Sequence, residues 1–177
     1  MPPSHIDQAN VDVPEGADEG LEGSVKAGPD DDLRLDSQVC FPLYAASRLM
    51  MQLYKPHLDK LGLTYPQYLV MMVLWGKNAL SVKEIGGVLH LDSATLTQVL
   101  GNLEKAELIK RERIKGDART VINTLTAQGR ALKKRARRVP KGMACEFEGR
   151  IDEVAALRPQ LQMLVLILAE RLKAADR

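Results

Sequence analysis

The side chains with the most distinctive chemistry in this 177-residue sequence are its two cysteines and four tyrosines. Cys40 lies at the start of a predicted helix, with Tyr44 one helical turn later and Tyr54 and Tyr65 further along the chain. Peroxides react with the thiolate form of cysteine, and the partial positive charge at a helix N-terminus favours that form. Phenol hydroxyls favour it too, because they can donate hydrogen bonds to the sulfur. The segment therefore has the composition expected around an oxidation-sensitive thiol.

Cys145, the other cysteine, lies just after Pro140 and Gly142, which together predict a break between two helices. A thiol in a mobile segment can approach a second thiol, so the two cysteines fit a redox switch that closes a disulfide. Both also have a simpler interpretation, since a cysteine is most often an inert buried residue and Cys145 could be a loop residue without a role. The residues by themselves favour the simpler interpretation and leave the redox switch open.

Charge divides the sequence into two parts. Residues 1–32 contain nine acidic residues and one basic residue, Lys26, a net charge of −8, and their low apolarity predicts a disordered tail. Since the whole chain carries +2, residues 33–177 carry +10, which indicates either an anionic partner such as nucleic acid or a basic surface without a role. No signal peptide, transit peptide or membrane-spanning apolar run is present, so we expect a cytoplasmic protein.

Apolar residues recur at helical spacing from Val39 to about Leu61, in a stripe wide enough to be buried on two sides. Thr64 can cap a second helix with Pro66 in its first turn, extending to about residue 76.

Two short capped helices follow. Ser81 and Glu84 have the spacing of a capping box, and Asp92 or Ser93 can cap the next helix, which extends to about residue 107. Two short helices with a tight connection are the signature of a DNA-binding helix-turn-helix, but helix pairs are also common in α-proteins that do not bind DNA, so the spacing alone leaves both interpretations open.

A basic hairpin is predicted directly after the helix pair. Alternating segments at 108–114 and 119–125 surround a polar tip with Gly116 and Asp117. Its basic residues are Lys110, Arg111, Arg113, Lys115 and Arg119. A basic hairpin in this position is a wing whose arginines can enter a minor groove.

The helix after Asp92 has one face suited to DNA, although an ordinary solvent-exposed face would also be polar. When Leu96, Val99, Leu100 and Leu103 point inward, the opposite face carries small or polar residues. Gln98 can pair with adenine and Ala94 can touch a thymine methyl, while hydroxyls suit phosphates. The predicted DNA-binding residues are Ser93, Ala94, Thr95, Thr97, Gln98, Arg113, Lys115, Asp117 and Arg119.

The C-terminal part predicts two more helices. Thr126 caps one that extends to about Val139, and its six basic residues indicate a solvated face. The last helix, about Asp152 to Lys173, is apolar almost all round, which predicts burial by the first helix and by a second copy of the chain. The residues that motivate this homodimer are Leu161, Leu164, Val165 and Leu168.

Together these elements predict a mainly α fold with a small β-hairpin wing. We expect a winged helix-turn-helix dimer with N- and C-terminal dimerisation helices, in which a domain of residues 33–177 follows the acidic tail and residues 64–126 or so form the DNA-reading unit.

The sequence resembles the MarR-type winged helix regulators in specific residues. Their wing pattern, Asp-x-Arg followed by Leu-Thr, is present as Asp117, Arg119, Leu125 and Thr126. The segments LDSATLT and LDSQVCFPLY are similar to OhrR, the organic hydroperoxide sensor of that family. The resemblance covers about residues 33–173.

The resemblance implies a repressor that binds operator DNA when reduced and is released by an organic hydroperoxide. Cys40 would be the peroxidatic thiol, with Tyr54 and Tyr65 hydrogen-bonding near it, and Cys145 matches the resolving thiol of the two-cysteine OhrR type. Tyr54 is fourteen residues beyond Cys40, roughly 21 Å along a straight helix, so their contact requires the other subunit. The same logic predicts an inter-subunit disulfide. Pro42 departs from the family pattern directly after Cys-Phe.

Two other functions compete with this one. Ser37 and Cys40 have the spacing of a peroxiredoxin site, but Leu33 replaces its proline and no thioredoxin-like strands are predicted, so we do not expect an enzyme. A MarR-like repressor released by a small phenolic ligand would use the same DNA-binding elements without thiol chemistry. No metal or other cofactor is predicted, because the histidines lack ligand spacing with either cysteine: His5, His57 and His90.

Overall fold

The computed structural model describes residues 33–114 and 117–175, apart from the side chains of residues 114 and 117–119. The predicted acidic tail and the wing-tip residues Lys115 and Gly116 lie outside the described residues, and the boundary at residue 33 stays a prediction. The chain divides into two units between Pro42 and Leu43.

The described elements follow one another in a mainly helical order. They are a 3-10 turn Leu35–Ser37, α1 Cys40–Asp59, α2 Tyr65–Lys77, β1 Ala79–Ser81, α3 Val82–Leu89, α4 Ser93–Lys105, β2 Ile109–Ile114, β3 Asp117–Leu125, α5 Ala127–Ala136, α6 Arg138–Glu146, α7 Ile151–Ala156 and α8 Arg158–Ala175.

The helix-turn-helix consists of α3 and α4, and local hydrogen bonds fix both of its helix starts. The Glu84 backbone N–H donates to Ser81 Oγ at 3.2 Å, and the Ser81 N–H donates to Glu84 Oε2 at 2.8 Å. Asp92 Oδ1 accepts from the Thr95 N–H at 2.8 Å. His90 adopts the left-handed conformation at the end of α3, with φ of 52°, which turns the chain sharply into α4. The predicted capping box and the Asp92 cap are confirmed.

The wing is part of a three-stranded antiparallel sheet in the order β1-β3-β2. The hairpin β2–β3 is as predicted, although its return strand begins at Asp117 rather than Arg119. Strand β1 was not predicted, since three residues are too few to show an alternating pattern. The buried Asn123 of β3 donates from Nδ2 to the Leu80 carbonyl oxygen at 3.1 Å, so a side chain reinforces the backbone pairing of β1 with β3.

The predicted break at Pro140 and Gly142 is wrong. Both residues lie inside α6, and Cys145 lies in its last turn. Pro140 is tolerated because it occupies the first turn of α6, where the backbone N–H has no helical partner to lose. The helix interruption falls instead at Arg137, between α5 and α6.

The predicted single C-terminal helix is divided in two. The interruption at Leu157 separates α7 from α8. Pro159 explains it, since proline lacks the N–H that would donate to the Ala155 carbonyl and its ring crowds that position.

The hydrophobic core lies among α2, α3, α4, the sheet, α5 and α6, and Leu58 of α1 is buried in it. Its fully buried apolar residues come from α1, α2, α3, α4 and β2: Leu58, Val70, Met71, Leu74, Ile85, Leu96, Leu100, Leu103 and Ile109. Helices α7 and α8 contribute no buried residue among those described. No helix in the described part of the chain is long and apolar enough to cross a membrane.

Candidate functional site

Helix α4 has the two faces that the sequence predicted. Leu96, Leu100 and Leu103 are fully buried and anchor the helix in the core. Ala94 and Gln98 are exposed on another face. Anchoring by leucines fixes the helix rotation, so its small and polar residues form a surface able to enter a major groove.

The hydroxyl groups at the start of α4 are already used within the chain. Thr95 Oγ1 donates to Asp92 Oδ2 at 2.7 Å, and Thr97 Oγ1 donates to the Ser93 carbonyl oxygen at 2.6 Å. A hydroxyl has one proton and a phosphate only accepts, so donation by either threonine to DNA requires one of these bonds to break. Ser93 is exposed at the same helix end. The predicted roles of these residues in DNA contact stay predictions.

The basic residues of the wing differ in how exposed they are, and therefore in how readily they could contact DNA. Lys110 and Arg113 are exposed on β2. Arg111 is half-buried and its Nη1 lies 3.7 Å from Glu104 Oε2 of α4, so it joins the wing base to the candidate recognition helix. Of the predicted contacts, Lys115 lies outside the described residues, and the structure places only the backbone of Asp117 and Arg119, in β3.

Thr126 connects the wing, the end of α4 and the start of α5. Its Oγ1 donates to the Glu107 carbonyl oxygen at 2.6 Å and accepts from the Gly129 N–H at 3.0 Å. A side chain on Gly129 would collide with the Leu108 carbonyl oxygen, so only glycine permits this close packing. The sequence predicted Thr126 as a cap but gave no signal of its longer-range bond.

Four aromatic rings form a continuous cluster. The ring centroids of Tyr54 and Tyr65 are 5.0 Å apart, and that of Tyr68 lies 6.3 Å from both Tyr54 and Trp75. The sequence singled out Tyr54 and Tyr65 as phenols near Cys40, a role that stays a prediction, and it did not indicate that they form a cluster with Tyr68 and Trp75. The spacing of Tyr65 and Tyr68, three residues on one helix, was an available signal.

Partial burial of Tyr54 and Tyr65 favours the protonated form of their phenols. Burial raises the pKa of Tyr54, and burial together with the charge of a Tyr54 phenolate raises the pKa of Tyr65. A phenol that remains protonated keeps its proton to donate, which is the property needed to hydrogen-bond to a thiolate. Tyr44, the third predicted phenol, is exposed, and the Arg48 guanidinium carbon lies 5.6 Å from its ring centroid.

Both cysteines are free thiols and both are exposed. Cys40 is the first residue of the 20-residue helix α1, where a helix N-terminus favours an anion. Cys145 precedes Glu146, whose Oε1 lies 3.0 Å from Nε2 of His57. That contact joins residues 89 positions apart, and the sequence gave no sign of it. In the part of the chain that the structure describes, no group of three potential ligands could hold a metal ion.

A cavity of about 970 Å³ lies between α1, α3 and the three C-terminal helices. Met50, Tyr54, Met143 and Phe147 give it a mainly apolar wall, and Arg158 adds a positive charge. Its size and lining would suit an apolar molecule with an acidic group.

Comparison with known proteins gives a consistent result. A family model for the transcriptional regulator SarA/Rot matches residues 52–136. The organic hydroperoxide resistance transcriptional regulator of Bacillus subtilis is 48% identical over 110 residues, which cover 62% of this chain and 75% of that protein. Reduced AbfR bound to DNA is 34% identical, covers 78% of this chain and 97% of its own, and has a TM-score of 0.63. Disulfide-formed AbfR is 34% identical, with coverages of 77% and 95% and a TM-score of 0.54. A further AbfR structure is described as coming from Staphylococcus epidermidis.

A helix-turn-helix followed by a wing, with long helices before and after it, defines a winged helix transcriptional regulator. The chain belongs to the MarR-type winged helix regulators, and within them to the OhrR type. The predicted fold class and family are confirmed.

Proposed function

We propose that the chain is a homodimeric repressor that binds operator DNA when reduced and releases it when an organic hydroperoxide oxidises Cys40. The observation that carries the proposal is the free, exposed Cys40 at the first position of α1, in a chain 48% identical to an organic hydroperoxide resistance regulator. Cys145 then closes an inter-subunit disulfide with Cys40.

The exposed apolar face of α8 supports the homodimer. Leu161, Val165 and Leu168 are exposed in the single chain, and α8 has no buried residue. Large contiguous apolar surfaces are rare on monomers and mark interaction sites. A second copy covers this face and brings a second recognition helix, as a near-palindromic operator requires.

The exposed face of α4 and the wing support binding to double-stranded DNA. Gln98 offers the donor and acceptor that pair with adenine in the major groove, and Arg113 offers a positive charge for the backbone or minor groove. A relative, reduced AbfR, has been solved bound to DNA.

The proposed chemistry has two balanced steps. The Cys40 thiolate attacks one oxygen of the hydroperoxide, the O–O bond breaks, and the alkoxide leaves as an alcohol after taking a proton, which makes Cys40 a sulfenic acid. The Cys145 thiolate then attacks the sulfenic sulfur, an S–S bond forms, and hydroxide leaves as water after protonation. The protonated phenols of Tyr54 and Tyr65 from the other subunit stabilise the first thiolate.

The comparison with AbfR supports a conformational change in the second step. The chain is more similar to reduced AbfR bound to DNA than to disulfide-formed AbfR, with TM-scores of 0.63 and 0.54 at the same identity of 34%. A disulfide needs its two Cα atoms within about 7 Å, so closing it fixes the relative placement of the two subunits. The recognition helices then no longer match two successive major grooves.

A second candidate function is a repressor released by a small phenolic ligand. The mainly apolar cavity of about 970 Å³, with Arg158 in its wall, favours it. Such a ligand leaves both thiols free, so dithiothreitol has no effect on release, whereas a disulfide is reversed by it.

The deciding experiment measures binding to a duplex selected by the reduced protein from a random pool. A fatty acid hydroperoxide should abolish binding by the wild type, and dithiothreitol should restore it. Cys40→Ser should bind DNA and ignore peroxide, while Cys145→Ser should oxidise at Cys40 and proceed to sulfinic acid. If treated wild type runs only as a monomer on a non-reducing gel, with both thiols free, the ligand-released repressor replaces this proposal.

The DNA surface has its own test. Gln98→Ala should weaken specific binding by about 1–3 kcal/mol and relax the preference at one base pair. Arg119→Ala should weaken binding to all sequences and lower the salt dependence. Lys134→Ala, on the exposed face of α5, is the matched control and should leave the base preference intact. Unchanged affinity of Arg119→Ala at about 0.15 M salt removes the wing from the interface.

A further inference from the structure

We propose that His57 and Glu146 form a clasp that restrains the helix carrying Cys145 in the reduced protein and thereby sets the rate of disulfide closure. The inference rests on the proposed role of Cys145 as the resolving thiol. It assigns His57 as a positioning residue for the second oxidation step, without a part in the first.

The clasp joins two distant segments by one hydrogen bond. His57 lies in the last turn of α1 and Glu146 is the last residue of α6, 89 positions later. A carboxylate only accepts, so Nε2–H of His57 donates to Oε1 of Glu146, over 3.0 Å. The His57 side chain is 16% exposed, so water competes for this bond less than it does at an open surface.

Gly142 makes room for the histidine ring. A Cβ at position 142 would lie 2.5 Å from Nδ1 of His57, closer than real carbon atoms approach. The ring therefore packs directly on the α6 backbone, one turn before Glu146. Van der Waals contact at Gly142 and the hydrogen bond at Glu146 together fix both the position and the orientation of the ring.

The clasp acts on the same face of α6 that enters the core. Val139, Gly142, Met143 and Glu146 recur at spacings of three and four, so they share one side of the helix. Val139 and Met143 are buried, whereas Cys145 lies off this side and is exposed. The rotation of α6 about its axis therefore sets where the Cys145 thiol points, and the clasp restrains that rotation at the cysteine end.

Helix α6 is held to the rest of the chain by apolar packing and by the polar clasp. The clasp can open without exposing a large apolar surface. Phe147 packs against the core just beyond Glu146 and keeps an apolar contact when the hydrogen bond is broken. A half-buried pair of this kind contributes about 1 kcal/mol, which corresponds to about fivefold in a rate that requires it to open.

Restraint of Cys145 matters because the sulfenic acid of Cys40 has two fates. The Cys145 thiolate converts it to a disulfide, which dithiothreitol reverses, and a second peroxide converts it to a sulfinic acid, which dithiothreitol does not reverse. A slower second step therefore raises the share of irreversible product at a given peroxide concentration. The clasp therefore sets how much of the oxidised protein is the reversible disulfide and how much is the irreversible sulfinic acid.

The test measures the two steps separately on the full-length protein. A sulfenic acid trap added at timed intervals gives the rate at Cys40, and acid-quenched non-reducing gels give the rate of disulfide formation. His57→Phe and Glu146→Leu remove the hydrogen bond, and Gly142→Ala displaces the ring while keeping both partners. Gly76→Ala is the matched control, since a Cβ there meets nothing within 4 Å.

All three clasp variants should form the disulfide about fivefold faster, with the rate at Cys40 unchanged and less sulfinic acid at high peroxide. Unlike His57→Phe, the variant His57→Gln should keep the wild-type rate of disulfide formation, because the glutamine amide N–H can donate to the Glu146 carboxylate from a similar position. Equal or slower disulfide formation in Gly142→Ala and Glu146→Leu, both with normal reduced DNA binding, overturns the clasp. Absence of any disulfide in the wild type is a different result, which overturns the proposed function itself.

Discussion

The part of the chain from α2 to α6 and the C-terminal helix α8 place the same residue types in opposite environments. Leu100 of α4 is 0% exposed, whereas Leu168 of α8 is 52% exposed. The first region buries its leucines against its own helices and sheet. The second has a comparable density of apolar residues and buries none of them within one chain.

The difference shows which region buries its apolar side chains within a single chain. Burial of apolar side chains is the dominant favourable term in folding, so α2 to α6 have their own source of stability. Helix α8 lacks that source until something covers it, and a second copy of the chain is the proposed cover. Replacing a leucine by alanine should therefore lower the folding stability in the first region, whereas in α8 it should weaken the association of two chains.

The largest expected effect comes from truncating the core leucine. Leu100→Ala should lower the free energy of unfolding by about 2–5 kcal/mol, because it removes buried methyl groups and leaves a cavity. Urea unfolding of the reduced protein measures it. A loss below about 0.5 kcal/mol would mean that this helix is not part of a packed core.

Leu168→Ala makes the same chemical change in the exposed helix. The expected loss is about 1.5–3 kcal/mol per subunit in the proposed dimer and close to zero in a dilute monomer, since only a partner would bury this side chain. Light scattering across a concentration series, with Leu100→Ala as the comparison, separates the two effects. If Leu168→Ala leaves the dimer unchanged, this part of α8 lies outside the interface.

Thr126→Ala tests the connection between the wing and α5. It removes an N-cap and the bond to the Glu107 carbonyl, and it should cost about 1 kcal/mol. Thermal unfolding measures the loss, and Thr126→Ser, which keeps the hydroxyl, should restore most of the stability. Equal losses in both variants would point to the methyl group instead of the hydrogen bonds.

The smallest expected effect is the loss of stability at the starts of α3 and α4 at low pH. The backbone N–H of Thr95 lowers the pKa of Asp92, and the Ser81 hydroxyl lowers the pKa of Glu84. A carboxyl whose pKa is lower in the folded state than in the unfolded state stabilises the fold at any pH above its unfolded-state pKa. That stabilisation is lost as the pH falls through its folded-state pKa. The starts of α3 and α4 should therefore loosen below about pH 4, as carboxyl NMR titrations can measure. Asp92→Asn should flatten this dependence, and unchanged titration would show that the cap is not formed in solution.

The cysteine segments show how far sequence reasoning extends at the candidate site. Cys40 and its family were identified from a short motif, and the start of α1 lies where it was predicted. Cys145 was identified too, but its surroundings were not, because Pro140 suggested a break where the structure has a helix. A proline in a first turn is compatible with a helix, and sequence alone did not show where that turn would begin. The roles of both cysteines and of the DNA-contact residues stay predictions.

The sequence by itself determined the features that depend on neighbours within one helical turn. Glu84 caps with Ser81, Thr95 with Asp92, and the buried stripe of α4 repeats every three or four residues, so the information for each lies within a few positions.

Only the tertiary structure decided the contacts between distant segments. Strand β1 exists because β3 passes beside it, and the bond from His57 to Glu146 exists because α6 packs against the end of α1. Such contacts depend on how whole elements pack, and their individual residues carry no periodic pattern that would reveal the partner. The proposed cover of α8 would belong to the same class, since it would depend on surfaces that meet only between copies of the chain.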